Sequence, residues 1–260
     1  MKKLLLTFDL EEFPAEEFGI KLSEKEKFEI SRKGLVKIIN LLYRLNIKST
    51  FFTTLEFAQH YPALIKKLIK EGNEIALHAY SHKHRYNKMP EKVAYNYIKT
   101  AKKRIEKMFK IKISGFRAPQ MSFPSYSVLK KAGLKYDSSL HPTYIPGYYN
   151  RFFDKRKPFS EEGITIMPIS VTPVIRLPFS WVWFRNMPLI YSKFCTSFSL
   201  LDSDYINIYF HPWEFVELNK FNISKMIKRN TGNQNIIKLN KYLNWISKKT
   251  EAITINNFLK

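Results

Sequence analysis

Two histidines four residues apart, His78 and His82, follow the short apolar run Ile75, Ala76 and Leu77. Imidazoles at this spacing can meet a single ion, whether the segment coils into a helical turn or bends as a loop. Neutral imidazole is the commonest protein ligand for zinc and related divalent ions. The chain has six histidines, and three of them, His78, His82 and His84, fall between positions 78 and 84, so the clustering is not a matter of abundance. His84 is an alternative to His82 as a ligand. Near the N-terminus three carboxylates, Asp9, Glu11 and Glu12, close another apolar run and have no evident structural duty.

If these groups are to meet, the elements between them must converge. Strand-like and helix-like stretches alternate along the whole chain. Residues 3–8, 48–53, 74–77, 111–116, 135–136, 164–169, 206–210 and 252–255 read as strands. Leu35, Ile38, Ile39, Leu42 and Leu45 keep helical spacing, as do Leu64, Ile65, Leu68 and Ile69 after Pro62. Such alternation predicts a parallel sheet or an α/β barrel. The polar residues that follow the strands are Asp9, His78, Arg117, Asp137 and His211. In a barrel the C-terminal strand ends open on one face, so these five residues are predicted to converge there. Residues 141–163 lack periodicity but carry many aromatics, which predicts an ordered loop over the site. Arg176 to Arg185, with Trp181 and Trp183, is expected near a substrate.

With 45% hydrophobic and 15% aromatic residues, the 260-residue chain can fill a core, which excludes a disordered protein. No repeat or linker divides it, so one domain over residues 1–260 is expected. The single cysteine, Cys195, excludes an internal disulfide framework and fits a reducing compartment. The start Met1, Lys2, Lys3, Leu4, Leu5, Leu6 imitates a signal peptide, but the acidic residues arrive too soon and no small-residue cleavage site follows. A cytoplasmic protein, or one peripheral on the inner membrane face, is expected. The net charge of +22 favours anionic partners such as a phospholipid surface. Its lysines are spread over many helices and no nucleic-acid-binding motif is present, so no nucleic acid partner is expected.

With these residues in place, the chain resembles the polysaccharide deacetylase family (NodB homology, carbohydrate esterase 4) over nearly its whole length. Leu6-Thr7-Phe8-Asp9, His78-Ala79-Tyr80-Ser81-His82 and Gly115-Phe116-Arg117-Ala118-Pro119 look like the first three motifs. Tyr136-Asp137-Ser138-Ser139 and Phe210-His211-Pro212-Trp213-Glu214 look like the fourth and fifth. These forms, with Arg176-Leu177-Pro178-Phe179-Ser180, look most like the subgroup linked to bacterial exopolysaccharide and surface-glycan clusters.

The resemblance implies a distorted (β/α) barrel of about seven strands. It also implies metal-dependent hydrolysis of a sugar N-acetyl group, with one divalent ion, zinc, as cofactor. Asp9 would be the general base and Arg117 would pair with it and fix its orientation. His211 would protonate the departing amine with Asp137 supporting its charge, and backbone amides near 120–123 would hold the oxyanion. His78, His82 and a carboxylate would hold the metal. Pro119, Phe123, His141, Trp181 and Trp213 are the expected substrate contacts. Trp213 would wall the acetyl pocket or serve the core.

One departure stands out: family members usually carry two adjacent aspartates in the first motif, and here Leu10 takes the second place. Because side chains alternate along a strand, Glu11 shares the face of Asp9 and is the expected metal carboxylate, with Glu12 the alternative. The implied substrate is a nucleotide- or lipid-linked carbohydrate precursor of a surface polysaccharide. Deformylation or deacetylation of a lipid-linked aminosugar at the inner membrane face, and a non-catalytic glycan- or lipid-binding relative, are the alternatives.

Overall fold

β1 (Lys2–Leu10) is buried from Leu4 to Leu10 and stands inside the sheet. A strand with no polar alternation suits a position covered on both faces. The structure, a computed structural model, describes residues 1–147 and 149–260. After β1 come α1 (Glu24–Leu45), β2 (Thr50–Thr54), α2 (Leu55–His60), α3 (Pro62–Lys70), β3 (Glu74–Ala79), α4 (Glu91–Phe109), β4 (Gly115–Phe116), α5 (Tyr126–Lys131) and β5 (Tyr136–Asp137). Then follow β6 (Tyr144–Ile145), β7 (Tyr149–Asn150), β8 (Phe159–Glu161), β9 (Ile164–Ile166), α6 (Trp181–Asn186), α7 (Leu189–Ser199) and β10 (Tyr205–Phe210). The chain closes with α8 (Lys225–Lys228), α9 (Asn233–Ile246), β11 (Thr250–Ala252) and α10 (Ile255–Phe258).

The strand order is β10-β1-β2-β3-β4-β5-β9-β8, parallel as far as β9, with β8 antiparallel at the end and β11 paired to the start of β1. The sheet curls almost to closure. Beyond β9 the Ser170 amide donates to the Asn207 carbonyl of β10 at 2.9 Å, and the Asn207 side-chain amide donates to the carbonyls of Met167 and Pro168. Pro168 has no N–H to offer a ladder, so these contacts replace one. The result is an α/β fold, a curled mixed sheet forming a distorted half-barrel, as expected.

The helices pack outside. α1 opens on a capping box, with Ser23 and Glu26 satisfying each other's backbone amides, and buries Phe28, Leu35, Ile38, Ile39 and Leu42. Gly34, in its middle, lies against the turn that follows β10; a Cβ there would overlap the Pro212 carbonyl. This close approach seats the His211–Glu214 turn against α1.

Two expected elements differ. The strand expected over 111–116 shrinks to β4, because the Ile113 amide is spent on the Glu106 carboxylate (2.9 Å) at the end of α4. The strand expected over 252–255 is β11 followed by α10, whose start is capped by the Thr254 hydroxyl. The loop expected over 141–163 contains the β6–β7 hairpin and β8.

Candidate active site and metal centre

Parallel strands put their C-terminal ends on one side. Asp9, Glu11, His78, His82 and His211 accordingly line one cleft there, and Arg117 lies beneath Asp9. Glu11 Oε2 lies 2.9 Å from His78 Nε2 and 3.1 Å from His82 Nε2. All three side chains are buried, and their donor atoms lie within 4.8 Å of one another. Glu12, on the other face, is buried and pushed up to about 7, first by burial and then by Glu56. Both carboxylates follow the last residue of β1, and Glu11, not Glu12, reaches the histidines. His84 packs against Tyr97 instead, with ring centroids 4.1 Å apart.

The cluster fits a divalent cation. Burial pulls His78 down to about 4 and His82 well below its ordinary value, so both imidazoles are neutral. Burial, then the charges of Asp9, Glu12 and Glu17, pushes Glu11 well above the usual carboxylate range. Two neutral imidazoles facing a carboxylate that lacks a counter-charge is the donor set a divalent ion relieves. A further carboxylate supports it: Glu17 Oε1 lies 3.5 Å from His82 Nδ1 and is itself held by Arg85 at 2.6 Å. An acid on the far nitrogen fixes the tautomer and aim of a metal-binding histidine.

Arg117 is fully buried and spends its fork on orientation. Its Nη1 donates to Asp9 Oδ1 at 2.9 Å and to Thr7 Oγ1 at 2.8 Å, while Nε and Nη2 reach the Ser138 carbonyl and hydroxyl. Asp9 is left with Oδ2 toward the cleft, 3.9 Å from His211 Nε2; the same nitrogen is 3.9 Å from Glu11 Oε1. These separations exceed a hydrogen bond, so neither atom is committed to the other.

The expected partner of His211 is corrected. Asp137 is engaged elsewhere: it accepts from the Ser139 hydroxyl at 2.6 Å and amide at 3.1 Å, and burial raises it to about 6. The carboxylate on His211 is Glu214, with Oε1 at 3.1 Å from Nδ1 and 2.8 Å from the His211 amide. Glu214 Oε2 is bound by Arg185, and both side chains are fully buried. Arg185 also donates to the carbonyls of Ile227 (2.7 Å) and Arg229 (3.1 Å), tying the wall of the cleft to the same group. Position i+3 in a turn is the available signal for Glu214; the stretch ending at Arg185 is expected near a substrate but with no role for Arg185 itself, and nothing in the sequence points to Glu17.

Of the expected substrate contacts, His141, Trp181 and Trp213 line the cleft and Pro119 and Phe123 do not. Phe123 is half-buried against the core, stacks on Tyr126 and lies under Arg151. The chain reverses at Gln120 and Met121, both left-handed (φ 49° and 56°), and these two residues reach the cleft instead. The Met121 and Ser122 amides donate to the carbonyls of Ala118 and Pro119, so they do not serve as the expected oxyanion donors. Trp213 stacks on His211 at 5.1 Å and also packs on Phe13, combining both roles considered for it. Trp181 meets His211 edge-on at 5.6 Å. His141 is held by Tyr149 at 2.8 Å through Nδ1, and burial, then Arg117, pulls it down to about 3. Among the described residues the cleft-lining His141 Nε2, Trp181 Nε1 and Trp213 Nε1 are buried without a hydrogen-bond partner, polar atoms open to a bound molecule.

Solved structures share the fold. A probable polysaccharide deacetylase from Pseudomonas aeruginosa PAO1 superposes with TM-score 0.70 at 14% identity, over 98% of this chain and 88% of that one. The Puue allantoinase gives 0.69 at 14% identity, with the same coverage. A carbohydrate esterase family 4 pseudoenzyme from Bacillus anthracis gives 0.59 at 12% identity, over 100% of this chain and 66% of that one. Identities this low speak for the fold alone. A search of curated proteins finds no match. The family model for polysaccharide deacetylase matches residues 2–137, which hold Asp9, Glu11, His78, His82, Arg117 and Asp137, and the chain belongs to the polysaccharide deacetylase family.

Proposed function

We propose that this protein hydrolyses the N-acetyl group of a sugar in a surface-polysaccharide precursor, releasing acetate and a free amine. The observation that carries the reading is the division of labour on Asp9. One oxygen is fixed by Arg117, and the other faces His211 beside the Glu11–His78–His82 cluster. Glu11, His78 and His82 would hold one divalent ion, zinc in this proposal, which would supply Lewis acidity toward an amide carbonyl and a water. Asp9 Oδ2 takes the proton of the attacking water. The water oxygen bonds to the carbonyl carbon as the C=O π pair moves onto oxygen; that pair then returns, the C–N bond breaks, and His211 Nε2 gives a proton to the leaving nitrogen. Glu214 holds His211 by Nδ1, which leaves Nε2 aimed into the cleft. Trp213 and Trp181 wall the reacting carbonyl, while His141 Nε2 and Trp181 Nε1 offer polar contacts to the sugar.

The motif forms Tyr136-Asp137-Ser138-Ser139 and His211-Pro212-Trp213-Glu214 support the surface-glycan subgroup, and a nucleotide- or lipid-linked precursor in the cytoplasm is the substrate proposed. One catalytic domain spans residues 1–260 in this reading. Leu10, in place of a second aspartate, favours a second reading, a binding relative without turnover. The two separate on acetate release from nucleotide-linked and lipid-linked N-acetylhexosamines. Wild type should release acetate, and Asp9→Asn should stay folded and keep metal, with a lower melting temperature because buried Arg117 loses its counter-charge, while losing on the order of 10²–10⁴ in rate. A substrate bound by both proteins and hydrolysed by neither rejects the enzyme.

A further inference from the structure

The chain around the cleft mouth leaves four large apolar side chains in solvent. Tyr144 is 55% exposed, Phe153 90%, Val174 80% and Ile175 54%. They come from three stretches of sequence gathered by Arg176. Its Nη1 donates to the Asp154 carbonyl at 2.8 Å and reaches the Pro142 carbonyl at 3.5 Å, and its own carbonyl accepts from the Thr143 hydroxyl at 2.7 Å. Its guanidinium also lies 5.8 Å from the Phe152 ring. Opposite Tyr144 on the same hairpin, Ile145 and Tyr149 line the cleft, so the apolar cluster stands at its entrance.

The turn bearing Val174 and Ile175 is closed firmly. The Thr172 amide donates to the Leu177 carbonyl, the Leu177 amide donates to the Thr172 hydroxyl, and Val171 bridges Pro178. Val174 is nonetheless left-handed (φ 58°), as is Arg176 (φ 55°). A β-branched residue in that region costs about 1–3 kcal/mol, and glycine or asparagine would sit there without it. An exposed turn gains nothing in water from strained valine. A turn that enters an apolar phase does.

Cations surround this tip. Lys155 and Lys157 are exposed, and Arg151, Arg156 and Arg176 are partly so. Of the acids nearby, Asp154 and Asp202 are paired with Arg151 and Arg156, and Glu161 is exposed on β8. A second copy of this +22 chain would bring like charge to the same surface, which disfavours self-association through it. Protruding apolar side chains ringed by cations match the boundary between anionic headgroups and acyl chains.

We infer that this tip docks the protein on an anionic lipid bilayer, with Phe153, Val174, Ile175 and Tyr144 entering the interface and Lys155, Lys157 and Arg176 meeting the headgroups. Resting on the deacetylase reading, the docked cleft opens toward a lipid-linked sugar.

Flotation with phosphatidylcholine vesicles, with and without phosphatidylserine, tests the docking. Wild type should float with the anionic vesicles at low salt, and release near 1 M salt, where the Debye length is about 3 Å. The triple variant Phe153→Ser, Val174→Asn, Ile175→Ser should bind about a hundredfold more weakly, since three side chains no longer leave water. Ile237→Ser, at an exposed apolar residue on α9, should bind as wild type does. Val174→Asn alone should melt no lower than wild type, which separates lost docking from misfolding, and Phe153→Ser, on a side chain in solvent, repeats the test. Wild type that ignores anionic vesicles at low salt, a triple variant that binds equally well, or a wild-type dimer that the triple variant breaks would each overturn the proposal. Neither substrate nor metal enters this assay, so failure here leaves acetate release standing, and absence of acetate release leaves the docking standing.

Discussion

Replacing Glu214 with glutamine separates a structural from a positioning role for this carboxylate. The side chain keeps its shape but loses its charge, leaving Arg185 as a fully buried cation without a counter-charge. Breaking one side of a buried pair costs about 3–5 kcal/mol. At roughly 2–4 °C per kcal/mol for a chain of this size, the melting temperature should fall by roughly 10 °C. The amide can still accept from the His211 backbone, but it no longer holds the imidazole at Nδ1 by charge. A mis-aimed acid should lower kcat by about a hundredfold with little change in KM, because the loss falls on proton transfer and not on binding. Adding Arg185→Met removes the stranded charge. The double variant should regain part of the stability, though not all, since the Ile227 and Arg229 carbonyls lose their donor. Its kcat should stay low. The assays are thermal unfolding followed by ellipticity and initial rates of acetate release. If kcat recovers together with stability in the double variant, Glu214 serves only the fold. If Asp137→Asn lowers kcat and Glu214→Gln does not, the reassignment of the His211 partner is wrong.

Two further outcomes follow from the same geometry. Glu17→Gln should weaken metal binding by about 10–100-fold, measured by competition with a chromogenic chelator, because His82 loses the carboxylate that orients it; unchanged affinity would remove Glu17 from the site. Burial holds His141 near 3, whereas the unfolded chain binds that proton around pH 6.5. Stability is therefore complete above about pH 6.5 and is lost as pH falls toward the folded value, by roughly 2–3 kcal/mol for the first two pH units. His141→Phe should show a smaller acid loss of melting temperature than wild type, and an equal loss would contradict the burial argument.

The strand ends were legible from sequence because a parallel fold sends every one of them to the same face. Asp9, His78 and His211 needed nothing more than the alternation of elements to be grouped. Strand alternation separates Glu11 from Glu12 in the sequence, and the two carboxylates do diverge, although β1 itself ends at Leu10 just before them. Partnership between side chains was not legible. Which acid reaches His211 depends on Ser139 capturing Asp137 and on Gly34 admitting the Pro212 turn against α1, both of which are matters of packing. Gln120 and Met121 line the cleft where Pro119 and Phe123 are expected, and neither residue type announces the left-handed conformation that brings them there. The tip at Val174 lies between the strand expected over 164–169 and the stretch from Arg176, in a segment given no reading from sequence, where only the fold says which side chains face out.

Metal content per chain, measured by elemental analysis after dialysis, tests the central claim most directly. Wild type should carry one divalent ion, His78→Ala and Glu11→Ala should lose most of it, and Glu12→Ala should keep it. Full metal content in Glu11→Ala, or its loss in Glu12→Ala with Glu11 intact, would contradict the assignment of Glu11, His78 and His82 as the metal centre.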